Sequence, residues 1–99
     1  MTTYRNDSNW EIPLSNDITI LYDKLDQSKF NKIILPKSLL ELHCDNNDLT
    51  ELPKLPNSLQ VLHCSNNKLT KLPLLPNSLQ KLYCSNNKLT KLPELPNSL

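Results

Sequence analysis

From Leu39 onward the apolar positions of the chain recur in phase every 20 residues. Three segments align without gaps: Leu39 to Ser58, Leu59 to Ser78 and Leu79 to Ser98, with Leu99 opening a fourth. Each reads L-x-x-L-x-C-x-N-N-x-L-T-x-L-P-x-L-P-N-S. The second and third differ only at Val61/Lys81, His63/Tyr83 and Leu74/Glu94. Between Leu59 and Ser65, Leu62 and Cys64 alternate with Val61, His63 and Ser65. A strand sends alternate side chains to opposite faces, so Leu62 and Cys64 point inward and the other three outward. The run that follows is not a helix, because Pro73 and Pro76 remove backbone donors and fix φ. Its return path is extended or polyproline-like. Each unit thus predicts one short strand, with equivalent strands stacked in parallel about 4.8 Å apart. One coil cannot bury its own leucines; its neighbours supply the rest of the core.

Asparagine does the work of glycine here, since it is the residue most able to replace it at left-handed positions. Asn46, Asn66 and Asn86 are expected in a tolerant turn conformation. Asn67 falls where the chain leaves the strand. Its amide is placed to satisfy backbone groups inside the bend, and Asn47 and Asn87 would extend it into a ladder.

Residues 1–38 do not repeat cleanly and read as an N-terminal cap ahead of the repeats at 39–99. Ser15, Asn16 or Asp17 is a candidate helix cap. Ile18, Leu21, Tyr22 and Leu25 then form one apolar stripe at helical spacing, which predicts a helix of about ten residues over the first coil. The run Phe30 to Leu35 looks strand-like and feeds Leu35-Pro36-Lys37-Ser38-Leu39, a match to the later L-P-N-S-L joint. Trp10 is expected to pack in the cap. At the other end the last coil predicts apolar surface and an unpaired strand edge. That is consistent with a fragment of a longer array, with end-to-end pairing of copies, or with a frayed final coil.

The unit resembles the leucine-rich repeat family, whose signature is L-x-x-L-x-L-x-x-N/C-x-L. Leu59, Leu62, Cys64, Asn67 and Leu69 fill its five places, with cysteine in the third. The doubled proline and the 20-residue length resemble a short subclass found in bacterial effector proteins, and similar repeats occur in giant viruses. The resemblance implies a right-handed superhelical solenoid with its parallel strands on the concave face. It also implies a non-enzymatic module that binds a protein partner through that face. Three columns that vary between units lie on the outward side of the strands: Glu41, Val61 and Lys81; His43, His63 and Tyr83; Asp45, Ser65 and Ser85. Glu41, His43, Val61, His63, Lys81 and Tyr83 are therefore the candidate contact residues, with aromatic Tyr83 the best anchor.

Composition narrows the chemistry. With no glycine in 99 residues, the Gly-rich phosphate cradle, the dinucleotide fingerprint and the glycine-flanked serine elbow are all excluded. No run approaches the roughly 18 apolar residues of a membrane span. The first residues lack a basic stretch followed by an apolar one, so no secretory leader is expected. Net charge is only +1, but residues 1–53 carry −4 and residues 54–99 carry +5. Cys44, Cys64 and Cys84 recur as inward core filler. An odd count of parallel inward thiols predicts free cysteines and a reducing compartment such as the cytoplasm, including a host's.

No constellation reads as catalytic. His43-Cys44 and His63-Cys64 point to opposite faces and cannot chelate together. His43, His63 and Asp45 share a face without a recognised metal spacing, so neither metal nor cofactor is expected. Nothing orients Ser65 and His63 as nucleophile and base, and Glu41 and Asp45 read as solvated carboxylates. Lys68 beside Lys88, and Lys71 beside Lys91, form basic columns. They lack interleaved aromatics and arginine (Arg5 is the only one), so a nucleic-acid partner is not expected. Two other functions fit the pattern: the substrate-recognition part of a larger effector such as a ubiquitin ligase, or a structural repeat that assembles with itself.

Overall fold

The computed structural model describes residues 34–99 throughout and, before them, the strands at Thr2–Asn6 and Ile18–Asp23. Alternation produces strands where it was expected. Glu41–His43, Val61–His63 and Lys81–Tyr83 are strands β3, β4 and β5, preceded by β1 (Thr2–Asn6) and β2 (Ile18–Asp23). The five form one parallel sheet in chain order. Leu42, Leu62 and Leu82 sit in register, as do His43, His63 and Tyr83. A spacing of 20 along the chain thus becomes a step of one strand across the sheet, and each position of the unit becomes a column.

The inward columns make the core. Leu39, Leu42, Cys44 and Leu49 of the first coil are wholly buried, as are Leu59, Leu62, Cys64 and Leu69 of the second. Leu82, Cys84 and Leu89 are only partly covered, and Leu92, Leu95 and Leu99 are exposed. The third coil has a neighbour on one side only among the described residues, so half of its lining contacts are missing.

The turns follow from their asparagines. Asn46, Asn66 and Asn86 hold φ of 61°, 58° and 55°, in the left-handed region. Asp48 joins them at 56°, which the sequence did not announce. At the far corner of each coil the L-P-x-S-L joint closes a turn. Leu39 N donates to Pro36 O at 3.1 Å, Leu59 N to Pro56 O at 3.2 Å and Leu79 N to Pro76 O at 3.0 Å. Serine ties these corners together: Ser58 Oγ donates to Leu39 O at 2.7 Å and Ser78 Oγ to Leu59 O at 2.6 Å, each one coil back. The Pro-rich stretches at 51–56, 71–76 and 91–96 have no regular secondary structure.

One expectation is corrected. The helix over Ile18, Leu21 and Tyr22 is not formed; Ile18–Asp23 is strand β2, paired with β3 so that Leu21 stands opposite Leu42. Four apolar residues at helical spacing are a short, ambiguous signal. The run Ile18-Thr19-Ile20-Leu21-Tyr22 is also rich in β-branched and aromatic residues that favour strands. The adjoining edge of β3 offers backbone donors and acceptors that only another strand can pair. The candidate caps Ser15, Asn16 and Asp17, together with Leu25, Trp10 and residues 30–33, lie outside the described residues. Ile34 and Leu35 are in no strand.

Candidate functional site

The outward face of β3, β4 and β5 brings all six candidate contact residues onto one surface. Register stacks them. The His43 and His63 rings lie 4.3 Å apart between centroids and 17° from parallel; His63 and Tyr83 lie 4.4 Å apart and 14° from parallel. The result is a continuous ring column across three strands, with Tyr83 47% exposed at its end. Register places Tyr22 beside His43 on β2, a position the sequence reading had given to a helix. The signal was there: Leu21 precedes Leu42 by one residue more than the repeat length, which puts Tyr22 in the same column as His43.

Acidic groups hold the imidazoles on one side. His43 Nε2 donates to Glu41 Oε1 at 3.1 Å, which fixes the tautomer with hydrogen on that nitrogen. His63 Nδ1 stands 3.9 Å from Asp45 Oδ2, and the other Asp45 oxygen accepts from Ser65 N at 2.6 Å. Loss of solvent and the stacked His43 ring lower the His63 pKa, against the pull of Asp45 and Glu41 in the other direction. The His63 ring is therefore neutral at pH 7. Below the rings the columns continue as polar ladders: Ser85 Oγ to Ser65 Oγ at 3.3 Å and Asn86 Nδ2 to Asn66 Oδ1 at 2.9 Å.

The thiols lie on the opposite side of the strands. Cys44 and Cys64 are buried, Cys84 is partly exposed, and all three are free. Burial pushes the Cys64 thiol up to about 12 and raises that of Cys84. A thiol so shifted is a poor nucleophile. Among the described residues no three His, Cys, Asp or Glu side chains converge on a point that would hold a metal ion. No helix among them is long and apolar enough to cross a membrane.

The turn asparagine takes its expected place. Asn67 Oδ1 accepts from Asn47 N at 2.9 Å and Leu49 N at 3.0 Å, while Nδ2 donates to Cys44 O at 3.0 Å and Cys64 O at 3.1 Å. Asn87 repeats the pattern one coil on, accepting from Leu69 N at 3.0 Å and donating to Cys64 O at 2.9 Å. These amides fix the exit of each strand, and with it the side chains that the strand presents.

Residues 57–97 match the family model described as leucine rich repeats (2 copies). No curated protein and no solved structure matches the chain. Repeats of this family are typically interaction modules without catalytic activity of their own.

Proposed function

We propose that this chain, a leucine-rich repeat protein, is a non-enzymatic module that binds a protein partner through the outward face of β3–β5. Its contact residues are Glu41, His43, Val61, His63, Lys81 and Tyr83. One observation carries the reading: the stacked column His43–His63–Tyr83 lies on a face that changes from unit to unit, over leucine and cysteine columns that do not. Parallel rings held in register form a preorganised surface, which loses little side-chain freedom on binding. In this reading the coils wind as a right-handed superhelix with the strands on the concave wall and polyproline-like segments on the convex one. Residues 1–38 act as the cap, and a reducing compartment keeps the three thiols free.

The test compares partner capture by the intact chain, by His63→Ala/Tyr83→Ala, and by a control altered at Lys54, which is exposed and outside the strands. The face variant loses the partner and the control keeps it. Tyr83→Ala alone leaves stability within about 1 kcal/mol, the scale of one ring stack. Equal capture by all three chains rejects the assignment. Light scattering of the free chain separates a foreign partner from self-assembly, which would show as mass rising with concentration.

A further inference from the structure

In-register stacking turns differences between units into gradients in space. On the strand face the third position of the unit runs Glu41, Val61, Lys81, and the seventh runs Asp45, Ser65, Ser85. On the flanking turn the tenth position runs Asp48, Lys68, Lys88, with Lys68 Nζ 3.8 Å from Asp48 Oδ1. All three columns run from acid at the first coil to neutral or basic at the third. The middle of the face, Val61 with the His63 ring, is uncharged at pH 7. Of the three positions at which the second and third units differ, two are on this face, and one of those brings in Lys81.

We infer that the strand face takes an extended segment of a protein partner lying across the strands, with a basic side chain over Glu41 and Asp45 and a carboxylate over Lys81. The inference rests on the proposed binding function and adds the partner's chemistry. Two strand steps separate the acidic and basic poles, about 9.6 Å at 4.8 Å per step. An extended chain covers that distance in three residues at about 3.3 Å each, so the partner's opposite charges stand three or four residues apart. Between them the ring column offers ring edges to an apolar or aromatic residue. Charge complementarity of this kind favours the matched register and penalises the reversed one, because like charges would then face each other.

The inference is tested by selecting a random peptide library on the intact chain and on Lys81→Glu, with His63→Ala/Tyr83→Ala as the face control. The expected consensus has one basic and one acidic residue three or four apart around an apolar centre. A synthetic peptide of that consensus binds Lys81→Glu about tenfold more weakly, and its affinity falls with added salt. Lys81→Glu itself selects peptides with two basic residues. Peptides that bind the face but carry no charge pattern, or a consensus unchanged by Lys81→Glu, overturn the inference and leave the binding face standing. Peptides that bind the face control equally well, or no enrichment at all, overturn both.

Discussion

The side chain of Asn67 bonds to the backbone of Asn47 one coil earlier, with Oδ1 2.9 Å from the Asn47 nitrogen. The same amide reaches Leu49 N, Cys44 O and Cys64 O, so one buried side chain closes the bend of two successive coils. Asn67→Ala strands several of those groups away from water. Each unsatisfied group costs about 1–3 kcal/mol, and partial relaxation sets the expected loss at about 3 kcal/mol. Asn87→Ala, in the less covered third coil, is expected to cost less. Urea unfolding of the two variants gives the comparison. Equal losses would mean that the bonds to the neighbouring coil, rather than burial, set the cost.

Leu62 and Leu82 are the same position of two adjacent units, yet one is wholly buried and the other only partly. Leu62→Ala is expected to destabilise the chain by about 3 kcal/mol, within the range for a buried leucine, and Leu82→Ala by about half of that. Calorimetric melting temperatures would order them. The reverse order would show that the third coil, rather than the second, anchors the stack.

Cys64 links stability to alkaline pH. Its folded pKa of about 12 lies above the ordinary value of 9.0, so the folded chain keeps a proton that the unfolded chain releases. The contribution is complete below pH 9 and is lost as pH rises toward 12, with a slope approaching about 1.4 kcal/mol per pH unit. Unfolding measured between pH 8 and 10.5 is expected to weaken less steeply in Cys64→Ala than in the parent. At neutral pH, Cys84 is expected to label with a thiol reagent before Cys44 and Cys64. Uniform fast labelling of all three would contradict the inward column.

Asn46 sits at φ 61°. Asn46→Gly is expected to leave stability within about 0.5 kcal/mol, because glycine takes this conformation freely. Asn46→Ala pays the steric cost of a Cβ in the left-handed region, about 1 kcal/mol. Denaturant midpoints separate the two; identical midpoints would mean that the turn relaxes out of this conformation.

How far each part was legible in the sequence depends on how many copies of the signal there were. The strands at Val61–His63 and Lys81–Tyr83, the inward thiols and the turn asparagines were readable because each recurs in phase, so repetition separates pattern from accident. Ile18–Asp23 was misread because it stands alone, one residue out of phase with the repeat, and its apolar spacing fits two periods. The candidate surface was legible as a list of outward residues. The ring column was not, because its 4.3 Å spacing depends on adjacent strands pairing with no slip.

The sequence by itself determined the 20-residue coil, the division of each strand into a wet and a dry side, and the asparagines that let a glycine-free chain turn. These are local matters of alternation, proline and left-handed backbone, and they need no neighbour. Only the tertiary structure decided that β2 joins the sheet and that two imidazoles and a phenol stack into one column. Each of these depends on what lies beside a strand, and a single coil carries no information about its neighbour until backbone hydrogen bonds fix the register.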